Sequence, residues 1–138
     1  MLTALVVIGM TWVGVRKKKI KEIVVWGLLA AFVVSLVSNL HRLWPTEFIA
    51  AEFHRTGNIQ PYLVWNVKYF FIDFIPTIIA TSILVLSASI AARSVHVRFG
   101  KPRWVGILCG IVVAVVLLIP AFFVGIFILG IFIPGSWP

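Results

Sequence analysis

Three long apolar runs constrain this chain more than any other feature of its sequence. They cover residues 23–40, 69–92 and 105–133, with lengths of 18, 24 and 29 residues, and Asp73 is the only charged residue within them. A helix of about 20 apolar residues crosses the hydrocarbon core of a bilayer, which is about 30 Å thick. Each run therefore predicts a transmembrane helix. At 62% hydrophobic and 12% charged residues, the chain is too apolar for a soluble domain of this size.

A shorter apolar run, residues 2–15, is followed at once by the basic cluster 16–19. Cleaved signal peptides carry their positive charges before the apolar segment, so the reversed order here favours a signal-anchor helix. Its 14 residues make a helix about 21 Å long, and a basic end can snorkel to the interface. We therefore expect a fourth span, and the sequence leaves open whether this segment is retained and crosses the whole bilayer.

Residues 41–61, between the second and third long helices, form a polar segment. They contain Pro45, Gly57 and Asn58 together with charged side chains, a composition that belongs outside the hydrocarbon. Thr46 can cap a short helix that ends at Gly57 and lies in the interface. The predicted fold is thus an all-α integral membrane protein, a single domain built as a four-transmembrane-helix bundle with a short interfacial helix between the second and third spans.

Charge is divided unequally between the two sets of loops. The predicted inner loops, 16–22 and 93–103, carry nine of the twelve cations and one of the four anions, whereas the outer side is neutral. Cytoplasmic loops are enriched in Lys and Arg, so the basic loops predict an inner-membrane protein with both termini outside. The positive charge is then explained by topology, and we expect the lipid bilayer rather than nucleic acid as the partner.

Tryptophan positions agree with this layout, because indole rings favour the interface between hydrocarbon and water. All six tryptophans fall near predicted span ends. Trp12, Trp26 and Trp104 lie toward the inner side, and Trp44, Trp65 and Trp137 lie toward the outer side.

Small residues recur at four-residue spacing on two spans, a pattern that lets helix backbones approach closely in lipid. The predicted helix-packing residues are Gly27, Ala31 and Ser35 on the second span and Gly106, Gly110 and Ala114 on the fourth. The spacing does not distinguish packing within one chain, which we favour, from packing between copies.

A polar face is predicted on the third span. Asn66, Tyr69, Asp73, Thr77 and Thr81 follow one another at spacings of three or four residues, which places them on one side of a helix. Carboxylates inside a membrane are costly and often mark ion or proton routes. We favour the other interpretation, a structural carboxylate that hydrogen-bonds in the headgroup region or pairs with Lys68, with Tyr69 or with a group on another helix.

Chemistry beyond this face has little support in the sequence. His41, Glu52 and His54 are candidate metal ligands, but their spacing matches no metal motif, and no metal site or cofactor is predicted. The single cysteine, Cys109, cannot form an intramolecular disulfide. No motif for nucleophilic or metal-dependent hydrolysis is present.

We therefore expect a non-enzymatic membrane protein that acts as a homo-oligomer or as a subunit of a larger membrane complex. The first alternative is a channel, transporter or membrane-permeabilising protein that uses the polar face around Asp73. A membrane enzyme acting on lipid is the third.

Overall fold

The computed structural model describes residues 1–17, 19–43, 51, 54–57 and 60–132. Within these ranges the chain is helical apart from short turns, and no strand occurs in them. The four long helices are α1 (Leu2–Arg16), α2 (Ile20–Asn39), α3 (Gln60–Arg93) and α4 (Arg103–Phe132). A 3-10 turn, Leu40–Leu43, extends α2, and a π-helical turn, Ser94–Arg98, extends α3.

Three helical segments are long and apolar enough to cross a membrane: Ile20–Leu43, Asn66–Arg98 and Arg103–Ile131. Their most apolar stretches have mean hydropathies of 2.3, 2.1 and 3.1. The protein is therefore an all-helical, membrane-embedded bundle. α1 has 15 residues, about 22 Å of helix, and is shorter than a span, so a fourth span remains a prediction.

The predicted interfacial helix falls mainly on residues outside those the structure describes. Residue 51 and residues 54–56 are helical, which leaves the expected element between Thr46 and Gly57 untested. The third helix begins at Gln60, nine residues before the apolar run, and so places Asp73 well inside a continuous helix.

α3 is the central element and packs against each of the other three helices. Neighbouring helices in sequence run in opposite directions, as pairs of contacts along them show. On α2, Gly27 lies against Leu86 while Arg42, in the turn that follows, reaches back to Asp73. On α4, Gly106 faces the carbonyl oxygen of Ala92, and Gly110 faces that of Ala88.

Both basic segments lie at one end of the bundle, which we call the basic end. Gly106 meets Val15 of α1 and Ala92 of α3 there, so the turn after α1 and the turn after α3 flank the same contact. At Gly100, in the second turn, φ is +61°, a conformation that glycine adopts without strain. The opposite end, where Arg42 pairs with Asp73, is called the ion-pair end.

In the half of the bundle toward the basic end, here the packed half, α1, α3 and α4 touch almost backbone to backbone. A Cβ atom built on Gly110 would lie 2.6 Å from the oxygen of Ala88 and 2.7 Å from Cγ2 of Thr11. Gly14 lies equally close to the carbonyl of Ser89. Only glycine permits these approaches, because any side chain would collide with backbone atoms.

α1 fills only part of the length of the bundle. Residues 1–8, at the start of α1, lie beside Leu84 and Leu118, near the middle of α3 and α4. Toward the ion-pair end, α2 and α4 make almost no contact with each other, and α3 forms the floor between them. The result is a cleft in the half of the bundle that α1 does not reach.

Candidate functional site

The cleft has a volume of about 350 Å³ and runs from the ion pair to Leu84. The turn after α2 contributes Arg42 to its mouth, α3 provides its floor, and α4 provides an apolar wall that includes Phe122 and Gly125. Its size lies at the lower end of the range for small-molecule sites, which are mainly apolar and carry a few polar groups. The polar residues that line it are Asn39, Arg42, Asp73, Thr77 and Thr81.

The ion pair defines the mouth of the cleft. Nε of Arg42 lies 2.8 Å from Oδ2 of Asp73, and the two side chains are 51% and 26% exposed. The 3-10 turn after α2 carries Arg42 back over α3, and Nδ1 of His41 lies 2.8 Å from the carbonyl oxygen of Ser38 in the same turn. Asp73 is therefore a paired carboxylate whose partner comes from another helical element rather than from the neighbouring Lys68.

Three of the five residues on the predicted polar face line the cleft. Asp73, Thr77 and Thr81 lie one turn apart along α3, and the Thr77 hydroxyl donates a hydrogen bond of 2.6 Å to the Asp73 carbonyl oxygen. The remaining two, Asn66 and Tyr69, lie outside its lining, and Tyr69 is exposed. Only the part of the predicted polar face from Asp73 to Thr81 lines the cleft.

Asn39 and Arg42 belong to the site, although the sequence alone predicts a functional role for neither. Asn39 is buried, and its Nδ2 donates a 2.8 Å hydrogen bond to the carbonyl oxygen of Ser35. One feature of the sequence pointed to Arg42: the predicted outer side carries equal numbers of cations and anions near the ends of adjacent helices. Equal numbers suggest ion pairs, but they do not show which cation pairs with Asp73.

The six predicted helix-packing residues are all buried within this one chain. Gly27, Ala31 and Ser35 lie along α2, whereas Gly106, Gly110 and Ala114 lie along α4. The Ser35 hydroxyl is buried with no hydrogen-bond partner in the described part of the chain. Ser35 therefore fills space at the α2–α3 contact, and its hydroxyl makes no hydrogen bond with the described residues.

No cluster that could hold a metal ion occurs among the described residues. Of the candidate ligands, His41 directs its ring toward Ser38, His54 has an interaction of its own, and Glu52 lies outside the described ranges. Among the described residues that line the cleft there is no histidine and no cysteine.

These features define a class: a helical, membrane-embedded bundle with one packed half and one half opened by a cleft that an ion pair borders. No known protein family, curated protein or solved structure gives a significant match to the chain. The cleft and its contacts are accordingly the basis for any functional proposal.

Proposed function

We propose that the protein is a non-enzymatic, four-span membrane protein that acts as a homo-oligomer or as a subunit of a larger membrane complex. The observation that carries this proposal is the exposure of α4. This helix has the highest mean hydropathy of the three long segments, yet only 11% of its most apolar 18 residues is buried, against 33% for α2. Most residues of this stretch of α4 are thus left partly or fully exposed, to lipid or to a neighbouring subunit.

The ion pair supports a structural rather than a catalytic protein. Among the described residues, Asp73 is the only carboxylate that lines the cleft, and its charge is compensated by Arg42 at hydrogen-bond distance. A charge-assisted hydrogen bond of this kind ties the end of α2 to α3. An enzyme acting on lipid would need an activated nucleophile with a base, and the residues lining the cleft provide no such pair.

Disulfide crosslinking along α4 tests the assembly. In a Cys109→Ser background, a cysteine replacing Ile119, which is 65% exposed, should crosslink copies or subunits that pack on α4. The matched control replaces Ala121, which is 2% exposed and faces the cleft, and should not crosslink. A chain that shows no crosslink at several positions around α4, and whose native mass in nanodiscs is that of a monomer without other subunits, would contradict the proposal.

The proposed topology places the basic end in the cytoplasm and both termini outside, with α1 as the fourth, partial span. It rests on the positive-inside rule and on the position of both basic turns at one end of the bundle. In the same background, a cysteine replacing Lys101 should be inaccessible to an impermeant thiol reagent in intact cells. A cysteine replacing Leu43, at the ion-pair end, should be labelled. The reverse pattern would contradict the orientation.

A channel or transporter is the second candidate, because Asp73, Thr77 and Thr81 share the cleft. One observation weighs against it: the carboxylate is paired with Arg42 at hydrogen-bond distance. We expect no ion flux from purified protein in liposomes under a cation or proton gradient. If flux is measured and Asp73→Asn abolishes it while the melting temperature is kept, the transport function replaces the structural one.

A further inference from the structure

We propose that the cleft binds one zwitterionic phospholipid whose headgroup carries a primary ammonium, from the leaflet at the ion-pair end. Its phosphate lies at Arg42, its ammonium lies at Asp73, and one acyl chain follows the floor of α3 toward Leu84. This inference concerns a ligand rather than assembly, and it stands independently of the oligomeric state proposed above.

The dimensions of the cleft suit an acyl chain. From Asp73 to Leu84 the floor is about 16 Å long at 1.5 Å per residue, and the cleft volume is about 350 Å³. A single unbranched chain is narrow enough to enter, and the α4 wall of Ala121, Phe122 and Gly125 offers it apolar contact.

The charges at the mouth complement a zwitterion. A guanidinium has five N–H donors and a carboxylate has about four acceptor sites, so the one bond between Arg42 and Asp73 leaves capacity on both groups. A phosphate accepts from Arg42, and a primary ammonium donates to Asp73. An anionic lipid has no ammonium to pair with Asp73, so beside Arg42 it leaves one more negative charge at the mouth than a zwitterion does.

The polar residues within the cleft follow the order of groups along a phospholipid. Thr77 lies four residues, about 6 Å along α3, deeper than Asp73, and Asn39 lines the same cleft from the end of α2. Ester oxygens follow the phosphate along the lipid. The Asn39 amide has a second N–H that can donate to them, whereas the single O–H of Thr77 already bonds the Asp73 carbonyl oxygen. Deeper in the cleft, apart from Thr81, the floor is formed by Ala80 and Leu84, which suit methylene groups.

Native mass spectrometry of the full chain, released from nanodiscs of defined composition, tests the site. We use phosphatidylethanolamine, phosphatidylcholine and phosphatidylglycerol as probes. The wild type should retain one phosphatidylethanolamine per chain, with less phosphatidylcholine, which has no N–H to donate, and still less phosphatidylglycerol. Equal or preferential retention of phosphatidylglycerol, or no retained lipid, would overturn the proposal.

Two glycine substitutions provide a matched pair. At Gly125 the nearest atom to an added Cβ is the Cβ of Pro76 at 4.0 Å, an ordinary contact distance, and we expect the side chain of Gly125→Leu to extend into the cleft. At Gly9, on an exposed face of α1, nothing lies within 4 Å, so Gly9→Leu adds the same side chain elsewhere. Gly125→Leu should reduce retained lipid about tenfold, equivalent to about 1.4 kcal/mol, and Gly9→Leu should leave it unchanged.

Reversal of lipid preference distinguishes a headgroup site from a merely structural ion pair. Asp73→Asn removes the negative charge and leaves Arg42, so this variant should prefer phosphatidylglycerol to phosphatidylethanolamine. A variant that folds and keeps the wild-type preference would overturn the assignment of Asp73. If Gly125→Leu changes the oligomer mass and leaves lipid retention intact, side chains of another subunit occupy the cleft and the lipid proposal is wrong.

Discussion

The two halves of the bundle differ in how they fill the space between their helices. In the packed half, Gly14, Gly106 and Gly110 bring three helices within backbone contact. In the half toward the ion-pair end, α2 and α4 are separated by a cleft of about 350 Å³, and an ion pair joins the turn after α2 to α3. The same α3 and α4 run through both halves.

The length of α1 accounts for this difference. α1 is 15 residues long, half the 30 residues of α4, and it occupies the groove over α3 only next to the basic end. Without a strong hydrophobic drive between helices in lipid, close packing depends on small residues at the contact. Where α1 is absent, small residues such as Ala80, Ala121 and Gly125 line an opening instead of a contact.

The largest expected effect comes from making the same substitution in both halves of α4. Gly110→Leu forces a side chain into the Ala88 carbonyl and should lower the free energy of unfolding by about 3 kcal/mol. Gly125→Leu, with 4.0 Å to its nearest neighbour, should change it by less than about 0.5 kcal/mol. Equilibrium unfolding in mixed detergent micelles measures both. Equal losses would show that the two halves are packed alike.

An effect of intermediate size is expected when one ion pair from each end of the bundle is compared. Arg42 and Asp73 are 2.8 Å apart, whereas Lys17 and Glu22 at the basic end are 3.4 Å apart and 45% and 44% exposed. A double-mutant cycle with Arg42→Gln and Asp73→Asn should give a coupling energy of about 1–2 kcal/mol. The cycle with Lys17→Gln and Glu22→Gln should give less than about 0.5 kcal/mol. A coupling energy near zero between Arg42 and Asp73 would show that the ion pair does not stabilise the contact between α2 and α3.

The smallest effects are expected at two buried serines. The Ser89 hydroxyl donates a 2.7 Å hydrogen bond to the Val85 carbonyl oxygen in the packed half, so Ser89→Ala should cost about 0.5–1 kcal/mol. The Ser35 hydroxyl is buried without a partner among the described residues, so Ser35→Ala should be neutral or slightly stabilising. Thermal unfolding of both variants in one detergent measures the difference. A larger loss for Ser35→Ala would indicate a hydrogen bond formed in the membrane.

Local sequence determined the helices because each apolar run must satisfy its backbone hydrogen bonds within itself when it leaves water. The three long segments, the turns between them and the small-residue faces on α2 and α4 could therefore be predicted. Both basic turns could also be assigned to one side, since alternate connections in a chain of successive spans return to the same face. The span on α3 was predicted from residue 69, and the helix itself begins at Gln60, because residues 60–68 are too polar to read as a membrane span.

Only the tertiary structure decided which surfaces meet. The spacing of Gly106, Gly110 and Ala114 fits packing within a chain or between chains, and their burial within this chain depends on where α1 ends. The partner of Asp73 depends on a 3-10 turn that carries Arg42 back over α3, a feature with no periodic signal. The cleft depends on the difference in length between α1 and its neighbours and on their relative placement. Periodicity reports which residues share a face of one helix, whereas a cleft belongs to the space between several.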